Sequence, residues 1–382
     1  MPAADAPGLR VLQVSAFFAA HGGGIEAVAD QLARRLAEGG LEVHWMAGGA
    51  PDERPPQRTT PRLRIDQASS VDLLERRLGL PAPLWGPLSL WRLWRAVGRA
   101  QVVHLHDVLY LHHLLAALFA WLLRRPLVIT QHVGEIPYRS AVARHVLAVL
   151  NRHLVAPVLR RAQAVAFVGR PVQQHFESLT RFDPAATLVP NGVDLERYHP
   201  LSLGPARDGP VQALFVGRFV EKKGLPLLRQ CLDLAGLHWT FVGWGPQPPA
   251  EASRPGLTLA GRLPAAEIVA HYQQADLLVL PSTGEGFPLV VQEALACGTP
   301  VLVSAEVAEA FPASDPRCVF AVELRCSDPV AALRQALQRL AADPDRLRAA
   351  REPARELAQQ WSWERCTRAY CALYRQVMAA RG

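Results

Sequence analysis

What most limits the folds open to this chain is an alternation of short apolar strands with helices that runs through it twice. The first round opens with a strand at Leu9 to Ser15, a glycine loop at Gly22 to Gly24, a helix, and a second strand at Leu41 to Ala47. Ile25, Val28, Ala29, Leu32 and Leu36 recur at helical spacing and share one face, which makes this a βαβ start. A proline-rich loop follows from Pro51 to Pro61, and further strands are expected at Val102 to Leu105, Leu127 to Thr130, Ala164 to Val168 and Thr187 to Val189. The second round places strands at Val211 to Val216, His238 to Val242, Leu257 to Ala260, Leu277 to Leu280, Val301 to Val303 and Val319 to Val322, then a helical tail from Asp328. Such alternation implies parallel sheets covered on both faces. The 382 residues, half of them hydrophobic, suffice for two α/β domains with separate cores. The polar segment Asn191 to Pro210, with three prolines, is the expected linker.

Composition narrows the partners. The net charge is +7, and its basic part is concentrated. No Asp or Glu occurs from Arg76 to His106, a stretch carrying Trp85, Trp91, Trp94, Arg92, Arg95 and Arg99. None occurs from Ile136 to Phe176 either, where Arg139, Arg144, Arg152, Arg160, Arg161 and Arg170 lie. Such faces attract anionic lipid headgroups, nucleic acid or acidic substrates, or are simply solvated. The start of the chain lacks a charged region followed by an apolar run, and Val108 to Leu123 is too short to span a bilayer comfortably, so a cytoplasmic protein is expected. Six cysteines form no CxxC pair and are expected as small buried thiols in a reducing compartment.

Two stretches can carry chemistry. In LLVLPSTGEGFPLVVQEALACGTP, Leu277 to Pro300, a strand ends at Pro281, a polar loop follows, and Pro288 suits the first turn of a helix. Backbone amides at that helix start can hold a diphosphate. Glu285 and Glu293 would repel phosphate, so they should face neutral hydroxyl pairs on ribose or a pyranose. In FVGRFVEKKGL, Phe215 to Leu225, Arg218 leaves a strand through Gly217, and Lys222 and Lys223 follow. Of 41 Lys plus Arg, only these two are Lys, which points to selection for a compact ammonium. Arg218 with Lys223 would neutralise a leaving diphosphate. HGGGIE, His21 to Glu26, is a weaker phosphate-approach loop. Val242-Gly243-Trp244-Gly245-Pro246 is half a dinucleotide fingerprint without its third glycine, which disfavours a nicotinamide enzyme. His104, His106, Asp107, His112 and His113 lack clear zinc spacing, so no metal site is expected.

Taken in order, Gly22-Gly23-Gly24-Ile25-Glu26, Val189-Pro190-Asn191-Gly192-Val193-Asp194, Val216-Gly217-Arg218 with Lys223-Gly224, and Glu285-Gly286-Phe287-Pro288 with Glu293 resemble the motifs of retaining glycosyltransferases of family 4. Seven residues separate the two glutamates, as in that family, and the tail Trp361-Ser362-Trp363-Glu364 is similar to its C-terminal helix. The resemblance implies a GT-B fold: two facing Rossmann-like domains at 1–193 and 194–360, with a helix at 361–382 crossing back to the first. It implies that Glu285 contacts donor sugar and Glu293 the ribose. Arg218 and Lys223 would bind diphosphate, aided by Gly217 and the amides of Gly286 and Phe287. Gly23, Gly24 and Asn191 would also approach the donor, and His132 would lie near the reacting sugar. The reaction implied is sugar transfer from a nucleoside diphosphate sugar co-substrate to a glycan or lipid-linked acceptor, without cofactor, metal or nucleic acid. The basic face adds contact with an anionic membrane during cell-envelope or exopolysaccharide synthesis. A sugar-nucleotide 2-epimerase and a non-catalytic scaffold are the alternatives. One departure stands out: Ser304 to Ala310 lacks the glycine pair usual in the family there.

Overall fold

The computed structural model describes residues 8–49, 56–57, 60–71, 83–135, 140–201, 209–249, 255–311 and 314–380. Most of the Pro51 to Pro61 loop, Arg76, Arg139 and residues 202–208 of the expected linker lie outside the described residues. The chain divides into two compact units, Met1–Asn191 with Trp363–Gly382, and Gly192–Ser362.

The first unit holds strands β1 (Arg10–Phe17), β2 (Glu42–Gly49), β3 (Leu63–Val71), β4 (Leu84–Trp85), β5 (Val102–His106), β6 (Leu127–Gln131), β7 (Ala164–Phe167) and β8 (Thr187–Leu188). They form one sheet in the order β4-β3-β2-β1-β5-β6-β7-β8. Every pairing is parallel except β3 with β4. Its helices are α1 (Gly24–Glu38), α2 (Pro87–Arg99), α3 (Leu111–Leu122), α4 (Ala141–Leu150), α5 (Ala156–Arg161) and α6 (Arg170–Leu179); a π-helical turn, Asn151–Val155, joins α4 to α5. Leu93, Ala117, Leu105, Ile129, Leu159 and Phe176 belong to one core cluster beneath them. Burying a side chain of leucine size contributes roughly 2 kcal/mol.

The sequence reading passed over β3 and β4. In β3 the side chains of Leu63 and Ile65 are buried while Arg64 is exposed. A strand near a sheet edge alternates in this way, so it lacks the continuous apolar run of β5 or β6, whose residues are all buried.

The second unit has strands β9 (Val211–Val216), β10 (Leu237–Val242), β11 (Leu257–Gly261), β12 (Leu277–Leu280), β13 (Val301–Ser304) and β14 (Val319–Val322). The sheet order is β11-β10-β9-β12-β13-β14, wholly parallel. Helices α7 (Leu225–Arg229), α8 (Ala265–Gln274), α9 (Leu289–Ala296), α10 (Ala305–Ala310), α11 (Pro329–Ala341), α12 (Pro344–Ala349) and α13 (Arg351–Ala358) complete it. Residues at the start of the expected linker are folded onto this unit. Val193 bridges to Ser362, and Tyr198 packs edge-on against Tyr272. The last helix, α14 (Trp363–Ala379), belongs to the first unit, where Arg35 lies over the Trp363 ring. The thiols differ from expectation at two places: Cys231, Cys297, Cys318 and Cys366 are buried, but Cys326 is exposed and Cys371 partly exposed.

Candidate functional site

In the second unit β9 pairs with both β10 and β12, so the strand order reverses beside it. Ligands of open α/β sheets bind at the carboxyl ends of strands flanking such a switch. The loops leaving β9 and β12 there are the two stretches singled out in the sequence. The backbone knits them together: Lys222 O accepts from the Thr283 N–H at 2.9 Å. Gly224 has φ 78°, and a Cβ on it would lie 2.2 Å from Pro281 O, so only glycine fits.

This places the Lys223 ammonium 2.8 Å from Glu285 Oε1, with both side chains mostly buried. Burial would raise the Glu285 carboxyl, but the ammonium groups of Lys223 and Lys222 outweigh it and hold it below its ordinary value. Two residues expected to meet different parts of a donor therefore meet each other. Arg218 is exposed, and among the described residues it makes no ion pair. Its loop is buttressed by the half-fingerprint glycines: Gly217 N–H donates to Val242 O, and Phe219 N–H to Trp244 O at 2.6 Å. A Cβ on Gly243 would strike Gly217 O, so these glycines serve strand-loop packing.

Pro288 sits just before α9, in extended backbone, rather than in its first turn. The Phe287 ring is buried against Phe311 and Trp361. Gly286 is partly exposed beside it. Glu293, on α9, accepts a 2.6 Å hydrogen bond from the Tyr272 hydroxyl. Burial pushes this carboxyl up, opposed by hydrogen bonds from Tyr272 and Tyr198 and by the charge of Arg197. Neither tyrosine was singled out in the sequence; an aromatic ahead of an apolar strand reads as core. The Ser304 to Ala310 segment replaces glycines with polar ties. Ser304 Oγ donates to Ser282 O at 2.7 Å, and the Glu306 carboxylate accepts from Gly284 N–H at 2.7 Å while pairing with Arg325.

In the first unit the switch lies at β1, which pairs with β2 and β5. Gly23 precedes α1, and the Glu26 carboxylate lies where a Cβ on Gly23 would go; the space around Gly24 is open. Asn191, buried, ends the unit's main segment. His132 follows β6 and is buried, with its Nε2 3.0 Å from His106 Nδ1. Desolvation pushes the His132 imidazole down to about 3, so it stays neutral near pH 7. Asp107 adopts left-handed backbone, φ 63°, and its carboxylate accepts the His132 N–H at 2.8 Å. Burial pushes Asp107 up to about 7 against that bond. The π-helical turn aims Asn151 at Gly134 O, 3.0 Å away. Behind β5, Tyr374 of α14 bonds His104 Nδ1 at 2.8 Å, His104 Nε2 bonds Thr130, and Thr130 donates to Tyr370 at 2.9 Å. The histidine-rich stretch is thus a polar core, and no group of three or more potential ligands among the described residues is placed to hold a metal.

Eleven of the thirteen large apolar side chains exposed among the described residues fall between Leu84 and Val149. Leu88, Trp91 and Trp94 lie on α2, Leu118 and Leu122 on α3, and Val142, Val146 and Val149 on α4. Arg95 covers the Trp91 ring at 4.7 Å, while Trp85 is buried and stacks on His112. No helix among the described residues is long and apolar enough to cross a membrane.

Comparison with known proteins agrees with this geometry. Residues 22–197 match the model described as Glycosyltransferase Family 4, and residues 210–343 match Glycosyl transferases group 1. A D-inositol 3-phosphate glycosyltransferase of Geodermatophilus obscurus is 30% identical over 93% of this chain and 85% of its own. A glycogen synthase of Mycobacterium tuberculosis is 29% identical over 74% of this chain and 70% of its own. Sucrose-phosphate synthase of Thermosynechococcus elongatus superposes with a TM-score of 0.75 at 22% identity, covering 97% of this chain and all of that one. Anabaena HepE, solved in complex with UDP-glucose, gives a TM-score of 0.68 at 14% identity, covering 98% and 99%. The fold is GT-B, built from two Rossmann-like α/β units.

Proposed function

The chain belongs to glycosyltransferase family 4, group 1, and from that premise we propose that it moves a sugar from a UDP- or GDP-sugar to an acceptor hydroxyl with retention at the anomeric carbon. The observation that carries this reading is the Lys223–Glu285 ion pair at the switch point, beside the exposed Arg218. A donor diphosphate would draw Lys223 and Arg218 to itself and free Glu285 for the hydroxyls of the sugar. As the C1–O bond to the diphosphate breaks, these two cations stabilise the charge that develops on the leaving group. The acceptor oxygen bonds to C1 from the same face, and its proton passes to a diphosphate oxygen. Glu293 would hold the ribose. With the leaving group met by side chains, the reaction needs no bound metal or cofactor.

Relatives named for D-inositol 3-phosphate and for glycogen differ in what they act on, so the acceptor reading rests on the first unit's own surface. Helices α2, α3 and α4 contain no Asp or Glu, and they expose the apolar residues named above beside Arg92, Arg95 and Arg144. That combination fits a lipid-linked acceptor at the inner face of an anionic membrane, within cell-envelope or exopolysaccharide synthesis, by a cytoplasmic protein.

The test is a thermal-shift panel of UDP-, GDP- and ADP-sugars, with UDP-glucose first because the HepE neighbour was solved with it. A ligand bound only by the native state at a hundred times its Kd adds about 2.7 kcal/mol of stability. A rise in melting temperature with one base supports the reading. No rise with any nucleotide sugar sinks it, and release of free UDP without any acceptor favours a 2-epimerase.

A further inference from the structure

We infer that Tyr272 and Tyr198 are positioning residues of the donor site, holding the Glu293 carboxylate oriented and charged so that it can grip the ribose of a nucleoside diphosphate. The inference deepens the reading of Glu293 given above and rests on it.

The two carboxylates of this unit are held in different ways. Glu285 is matched by a cation at 2.8 Å. Glu293 is held by neutral phenols: Tyr272 donates to Oε2 at 2.6 Å, and the Tyr198 phenol, whose ring packs against that of Tyr272, helps hold the same carboxylate in its charged form. The Tyr272 distance lies in the range of charge-assisted O–H···O bonds. Both rings are buried and pack edge to face, 5.9 Å between centroids, so neither phenol can swing away. Burial keeps both hydroxyls protonated and therefore donating. A carboxylate has about four acceptor positions; the Tyr272 bond takes one, and even with a second donor from Tyr198 about two remain, matching the two hydroxyls of a ribose. A cation there would have cancelled the charge that makes the grip strong.

The other titratable groups around Glu293 do not replace the phenols. Arg197, beside Tyr198, acts through space, and Cys297 closes the same helix. From α13, Arg351 donates to the carbonyls of Ala275 and Gln273. The remaining charged residues of α13, Glu352, Arg355 and Glu356, are exposed, as is Glu267 of α8, and His271 is partly exposed.

Without either phenol the charged form of Glu293 loses a donor while the burial that opposes it stays. Its pKa should move further up, and ribose binding should fail at neutral pH but return in alkali. A purely structural role would not be rescued by pH.

The experiment is calorimetric affinity of the full chain for UDP and for 2′-deoxy-UDP, from about pH 5 to about pH 9, in wild type, Y272F and Y198F. Wild type should prefer UDP by roughly tenfold, the scale of a hydrogen bond to a charged group, and lose that preference on acidification. Each variant should lose it at higher pH than wild type, regain it in alkali, and keep its melting temperature to within a few degrees. Variants with the wild-type pH midpoint, or with a loss that alkali does not restore, overturn the inference. Equal wild-type affinity for UDP and 2′-deoxy-UDP removes Glu293 from the ribose and overturns the inference while the donor reading stands. Failure of wild type to bind UDP, GDP or ADP overturns both.

Discussion

The two units bury polar groups by opposite means. The first fills the space behind its switch point with neutral rings: His104, His106, His112, His113 and His132 are all buried, and desolvation holds each imidazole below its ordinary value. The second keeps both lysines of the chain and an ion pair at its switch point. Neutral hydrogen bonds such as those of His104, His106 and His132 fix geometry and exert little field. A held cation beside a carboxylate stores charge for an arriving anion. The outer surfaces differ too, since nearly all the exposed apolar bulk belongs to the first unit.

Acid should separate the units most sharply. In the unfolded chain a histidine protonates near 6.5, whereas folded His104, His112 and His132 resist until about 3. Their contribution to stability is whole above pH 6.5 and is lost as pH falls toward the folded values. At pH 5 each would cost about 2 kcal/mol. Asp107, pushed up to about 7, works the other way, as one group against five. Hydrogen exchange at pH 7 and pH 5 should show the first unit opening first. Simultaneous opening, or earlier opening of the second unit, would mean the imidazoles are not neutral.

The next effect falls on the stored charge. Lys223→Ala and Arg218→Ala should each lower kcat/KM about a hundredfold or more. They should differ in stability. Lys223→Ala leaves the Glu285 carboxylate buried and unpaired, which destabilises. Arg218 is exposed, and its removal should change stability by no more than about 0.5 kcal/mol. Turnover near wild type in both variants would place the phosphate site elsewhere.

The smallest effect concerns the outer surface. Binding to vesicles containing anionic lipid should be weak and salt-sensitive, with about 1 kcal/mol per basic residue near the surface. Trp91→Ala combined with Arg95→Ala should reduce it. Indifference of the wild type to such vesicles at low salt would leave the exposed apolar residues without this role.

Much of this was legible before folding. Strand runs such as Leu277 to Leu280, and both loops that carry Arg218, Lys223 and Glu285, appear in the sequence because a fully buried parallel strand is an unbroken apolar run followed by a polar turn. The pairing of Lys223 with Glu285 was not legible, because it depends on β9 and β12 being neighbours. Tyr272 and Tyr198 were missed for a similar reason, as was the partnership of His106 with His132. A buried polar side chain is defined by its partner, and the partners lie far off in sequence. Gly243 and Gly245 half-match a dinucleotide fingerprint in the sequence because glycines demanded by packing and glycines demanded by phosphate look alike.

The placement of α14 has a consequence for how the protein is made. Thr130 and its Tyr370 partner are 240 residues apart, and the whole second unit is encoded between them. At roughly 5–20 residues per second, a ribosome needs on the order of ten to fifty seconds to deliver that partner. Throughout that time His104 and Thr130 have no tyrosine to bond, while the second unit, contiguous in the chain, can close by itself. The unit synthesised first is therefore finished last. A ribosome stalled before α14 would release a chain with a complete second unit and a first unit open at its histidine core.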